Sequence, residues 1–75
     1  MRRFVDNQGR HWDLTLGRES WGAFYILFVP RASDTAILQT LLPSERAEEA
    51  EGMLNGMDDD ALQEYLSKAE PKPMA

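Results

Sequence analysis

The chain reads as a small α+β domain: an antiparallel β-meander of three to four strands, then a C-terminal helical hairpin packed on one face of the sheet. Three observations carry this. Residues 10–16 alternate, with Trp12, Leu14 and Leu16 on one side and His11, Asp13 and Thr15 on the other, the pattern of a half-buried strand. Residues 21–29, WGAFYILFV, are apolar on both sides, which asks for cover on both faces. Beyond residue 44 the period becomes helical. Ala47, Ala50, Met53, Leu54 and Met57 form one stripe, and Ala61, Leu62, Tyr65, Leu66 and Ala69 another.

The first strand is expected over about 3–5, where Arg3-Phe4-Val5 precede the turn Asp6-Asn7-Gln8-Gly9. Asp and Asn bond their own backbone in turns, and Gly9 accepts positive φ without steric cost. The second strand, 10–16, closes a hairpin with the first. Gly17-Arg18-Glu19-Ser20 turns into the third, 21–29, which Pro30 ends because proline cannot donate to a ladder. After the turn at 31–34, residues 35–42 read as a fourth strand. A helix is the rival there, since Ala, Leu and Gln are good helix formers, but Asp34 and Pro43 bound a short segment.

The hairpin helices are expected over about 45–55 and 59–69. Ser44 is the candidate cap of the first, with Glu45 in its first turn, and Asn55-Gly56 is its stop. Asp58 is the candidate cap of the second, with Asp59 and Asp60 near the positive end of the helix dipole. Residues 1–69 then form one globular domain, and the proline-rich 70–75 a mobile tail.

Seventy-five residues make one domain that buries only roughly 60% of the surface its unfolded chain exposes. The chain has no cysteine, so neither disulfides nor a thiolate metal site reinforce it, and dimerisation is the remaining common device. The apolar run 21–29 is far shorter than the ~20 residues that span a bilayer. Asp6, Asn7, Gln8 and Gly9 break up the start before a signal-peptide core can form. The expectation is a soluble, cytoplasmic protein without a membrane partner.

Charge is polarised. Residues 1–31 carry five arginines against three acids, net +2, whereas residues 32–75 carry three basic residues against ten acids, net −7. Such a molecule can steer its acidic part to a basic partner or stack with itself. Solvated glutamates on short amphipathic helices are the plainer reading.

No catalytic set emerges. The single histidine, His11, has Asp13 two residues on and Ser20 in the next turn. Side chains two apart on a strand stand side by side without reaching each other, and GRESWG lacks the Gly-x-Ser-x-Gly elbow. Asp58–Asp60 with Glu64 do not have the alternating acids and glycine bend of a calcium loop, and capping accounts for them. Arg2, Arg3, Arg10, Arg18 and Arg31 lie near Trp12, Trp21, Phe24, Tyr25 and Phe28, the chemistry of single-strand binding. Asp6, Glu19 and Asp34 share their turns, however, and the chain's net charge of −5 opposes phosphate. The expected protein is not an enzyme and has no cofactor, metal or nucleic-acid partner. The meander followed by a DDxALxxxL helix resembles small bacterial proteins, a resemblance that implies no activity.

Two narrow helical stripes can cover one face of a four-stranded sheet and leave the other short. An uncovered apolar face marks an interaction site. The primary expectation is therefore a protein-protein interaction module that self-associates as a homodimer through its sheet. Its candidate contacts are Trp21, Tyr25, Phe28 and Leu38, flanked by Arg18 and Arg31. The alternative is an acidic regulator that docks Glu48, Glu49, Glu51, Asp58, Asp59 and Asp60 on a basic surface of a larger protein.

Overall fold

The computed structural model describes residues 2–18, 22–31 and 36–72. It shows a five-stranded antiparallel sheet with two helices on one face. The strands are β1 (Arg2–Val5), β2 (His11–Arg18), β3 (Phe24–Pro30), β4 (Leu38–Leu42) and β5 (Glu70–Pro71). Between β4 and β5 come α1 (Ala47–Gly56) and α2 (Asp59–Lys68). The strands neighbour one another in chain order and every pairing is antiparallel; the first three connections are short, and α1 and α2 fill the fourth.

Several boundaries differ from the sequence reading. The second strand runs on through Gly17 and Arg18, which were expected in a turn, because they pair with Tyr25 and Phe24, and the fourth begins at Leu38, where pairing with Phe28 starts, not at 35. The third strand begins at Phe24, not at 21, because Gly22 sits at φ +98° and breaks extended geometry before the ladder starts. Residues 70–72 do not begin a tail. Glu70 and Pro71 pair with Gln39 and Leu38, and the Lys72 amide donates to the Ile37 carbonyl at 2.8 Å. Proline is tolerated there because β5 is an edge strand. Ser44 is buried but does not cap α1, whose N-cap is Arg46 without a side-chain bond. Its hydroxyl instead receives the Arg46 amide at 3.3 Å and donates to the Arg46 carbonyl at 3.2 Å.

The first hairpin is built by its turn. The Gly9 amide donates to the Asp6 carbonyl at 3.0 Å, and Gly9 adopts φ +79°, giving a tight turn followed by a left-handed bulge. The Asp6 carboxylate, its side chain 1% exposed, is fully used. Oδ1 accepts the backbone amides of Gln8 and Arg10, each at 2.9 Å. Oδ2 accepts Arg10 Nε and the Trp12 indole Nε1, each at 3.0 Å. The same residue thus closes the loop and satisfies the one polar atom of a buried tryptophan.

The β2–β3 register sets the core. Leu14 pairs with Phe28 and Leu16 with Ile26, so the apolar side of β2 and the phenylalanine side of β3 share one face. Trp12, Leu14, Ile26 and Phe28 there are 0–1% exposed, with Phe4, Phe24 and Leu42 beside them. Trp12 meets Phe28 edge to face, centroids 6.1 Å apart at 84°. Ala50 and Leu54 of α1 and Leu62 and Leu66 of α2 close this core from above.

Polar contacts tie the layers together. Arg2 Nη1 donates to the Leu54 carbonyl at 2.6 Å, which brings a cation to the C-terminal end of α1, a helix with no basic residue in its last turn. Gln63 Oε1 accepts the Asn7 amide at 2.9 Å, joining α2 to the first turn. Asp58 caps α2 as expected, accepting the Ala61 amide at 2.8 Å. Asp58→Ala should therefore cost about 1 kcal/mol of unfolding free energy in urea titration, with Asp59→Ala as the control that leaves the cap in place.

Candidate interaction surface

The molecule measures 32 × 31 × 20 Å. A sheet and a helix layer each need about 10 Å, so the short dimension holds two layers. Among the described residues, none forms a layer on the side of the sheet away from α1 and α2.

The register decides which residues look out from it. In β3 the alternation buries Phe24, Ile26 and Phe28 toward the helices and leaves Tyr25, Leu27 and Val29 half-buried on the outer side. Cross-strand pairing places Tyr25 beside Leu41 and Leu27 beside Gln39. Ile37, one residue before β4, continues the alternation. Leu41 is 52% exposed and Ile37 39%. On the β2 side the outward neighbours are Asp13, Thr15 and Gly17, opposite Val29, Leu27 and Tyr25. Gly17 gives Leu27 room to lie across the sheet, since a Cβ there would stand 3.1 Å from Leu27 Cδ1. Farther out are Arg3 and Val5, with Arg3 Nε 4.0 Å from Asp13 Oδ1.

The outer face therefore has a lateral order. An apolar strip runs along β3 and β4, and a mostly polar flank runs along β1 and β2, with Val5, 48% exposed, as its apolar exception.

The sequence-predicted contact residues separate. Tyr25 is on the open face. Phe28, expected there, is fully buried in the core, because its pairing with Leu14 turns it toward the helices. Leu38, opposite Phe28, is half-buried on the same helix-facing side and packs against the core. Arg18 is exposed with its guanidinium 5.6 Å from the centroid of Phe24, a core residue, and so belongs to the helix-facing side. Arg31 is exposed just past β3, and its amide donates to the His11 carbonyl at 3.1 Å. Trp21 lies outside the described residues. Leu27, Val29, Ile37 and Leu41, not singled out from the sequence, make up most of the strip. The signal for Leu27 and Val29 was the second apolar face of 21–29, and for Ile37 and Leu41 the alternation within 35–42; both could be assigned to a side only with the register known.

Glu48, Glu49, Glu51, Asp58, Asp59 and Asp60 are all exposed on the helix layer, and Glu49 lines one hollow with Leu41 of the strip. His11 is exposed, and Asp13 approaches Arg3; Ser20 lies outside the described residues. Among the described residues no three His, Cys, Asp or Glu side chains converge as metal ligands would. Among them, too, no helix is long and apolar enough to cross a membrane. Comparison with protein families, with curated proteins and with solved structures finds no match.

Proposed function

We propose that this protein is a non-enzymatic protein-protein interaction module that self-associates through the open face of its sheet. The carrying observation is the apolar strip of Tyr25, Leu27, Val29, Ile37 and Leu41 on a face over which, among the described residues, no third layer lies. Such a sheet face offers each partner about 500 Å² in projection, more with side-chain relief, close to the lower end of what a specific interface takes from each side. Burying about 500 Å² of apolar surface across both copies gives about 12 kcal/mol before association costs of about 4–15 kcal/mol are met. At the low end of those costs the margin is about 8 kcal/mol, a micromolar dimer; at the high end none is left.

Solution mass by light scattering behind a sizing column, across micromolar concentrations and two salt levels, tests this. A mass approaching twice 8.6 kDa, insensitive to salt, is the expected result. Leu41→Lys should return the protein to monomer, with a melting temperature equal to that of wild type diluted below self-association, because Leu41 is half exposed and outside the core. A monomer at all concentrations overturns the proposal.

The exposed carboxylates of α1 and of the start of α2 support a second reading, docking on a basic protein surface. That association would weaken steeply with ionic strength, and Leu41→Lys would leave it unchanged.

A further inference from the structure

We infer that residues 70–72 are an edge guard, a strap that closes the side of β4 and puts in its place an edge to which a further strand adds poorly. The guard acts at the rim of the sheet and does not depend on self-association through the open face.

The backbone directions along β4 show what is guarded. The 2.8 Å bond from the Lys72 amide to the Ile37 carbonyl marks Ile37 as a position whose backbone looks sideways out of β4. Directions alternate along a strand, so Gln39 and Leu41 also turn their amides and carbonyls away from β3. With Leu38, Leu41 and Leu42 among its five residues, β4 alone would be an apolar edge, the kind that templates pairing with another chain. The strap occupies two of those three positions, Lys72 at Ile37 and Glu70 at Gln39.

The strap is a poor template in its turn. By the same alternation Pro71, opposite Leu38, points its nitrogen outward. Proline has no N–H, so the new edge lacks a donor at its centre. Glu70 and Lys72 flank that point as exposed charged residues, a second device that blunts an edge.

Tethering keeps the strap in place. Ala69 alone separates it from α2, whose Leu62 and Leu66 lie in the core, and the Ala69 amide donates to the Leu66 carbonyl at 3.1 Å. So short a tether gives an effective concentration of about millimolar, ahead of any strand offered by another molecule at micromolar concentration.

One guarded edge is enough. The other edge, β1, has four residues and no proline. There the Asp6 amide bonds the Arg10 carbonyl at 2.9 Å, so Arg3 and Val5 turn their backbone groups outward. A β1 edge meeting a bare β4 edge is a head-to-tail contact that repeats without closure into one continuous sheet. Blocking β4 stops that growth and leaves β1 unchanged.

Substitutions in the full chain test this. Lys72→Pro deletes the anchoring donor at an exposed position outside the core. The Gln39 amide should then exchange its hydrogen about tenfold faster than in wild type. Light scattering should show a mass that rises with concentration beyond that of wild type, while Lys72→Ala, which keeps the amide, matches wild type in both. Pro71→Val leaves the strap bonded and supplies the missing donor, so its mass should rise without a change in Gln39 exchange. Pro71→Lys puts a charge at the same point and should keep the wild-type mass. Unchanged Gln39 exchange in Lys72→Pro would show that the strap does not close β4. Faster exchange with no rise in mass would reduce the strap to a fastening and overturn the guard. Equal growth of Pro71→Val and Pro71→Lys would do the same, by tracing assembly to a weakened fold.

Discussion

Replacing Asp6 with asparagine is expected to destabilise the fold by about 2–4 kcal/mol, measured as the shift in urea unfolding. The change is nearly isosteric, and the loss comes from donor chemistry alone. Oδ1 faces two backbone amides and Oδ2 faces the Arg10 guanidinium and the Trp12 indole, so all four neighbours are donors. Whichever way an asparagine amide is turned, its NH2 points at two donors. The Trp12 nitrogen is the serious loss, being buried with its residue 1% exposed. A 75-residue domain has about 4–11 kcal/mol in total, so this one atom replacement removes a large share.

The same carboxylate makes stability depend on acid. Burial pushes the Asp6 pKa up, but the Trp12 indole, the Arg10 and Gln8 amides and the Arg10 guanidinium together outweigh it. The carboxyl titrates below its ordinary 3.8. With a depressed folded value, the contribution is complete above 3.8, where both folded and unfolded chains are ionised. It declines as pH falls below that value, because the unfolded chain takes up the proton first, and it is gone once the folded carboxyl is protonated too. Wild type should therefore lose stability more steeply than Asp6→Asn between pH 4 and about 2. Parallel curves for the two proteins would show that Asp6 is not the acid-sensitive group.

Phe28→Ala is expected to cost about 3–5 kcal/mol, between a third and all of what a domain of this size has in total. Phe28 is fully buried, and its ring meets Trp12 edge to face under the helices. Truncation opens a cavity between β2 and β3 that the paired strands cannot close. Leu41→Ala, one strand away and on the other face, should change stability by no more than about 0.5 kcal/mol. Chemical unfolding at a concentration below self-association separates these outcomes. If Phe28→Ala kept wild-type stability and altered only the mass of the assembly, the ring would belong to the contact surface and the register would be wrong.

That contrast shows where sequence reading stops. Binary alternation in 10–16 and the helical stripes after Pro43 were enough for element type and order, because those periods are local properties of the chain. Asp58 could be read as a cap for the same reason: its partner amide is three residues away. Asp6 was legible as a turn residue but not as the acceptor for Trp12, which depends on a strand folding back over it. Pairing of 70–71 with β4 was missed because prolines argue against regular structure, and an edge position that tolerates them is a fact of the assembled sheet.

The two apolar sides of 21–29 were likewise visible as a pattern, and so was the shortage of cover for one of them. Which side goes uncovered was not, since a strand apolar on both faces carries no preference of its own. The sequence by itself determined the α+β class, the meander, the hairpin of helices and the surplus of apolar surface. The tertiary structure decided that Phe24, Ile26 and Phe28 go inward and Tyr25, Leu27 and Val29 outward. The physical reason is that Leu14 and Leu16 had to share a face with their cross-strand partners, and only one face receives the helices.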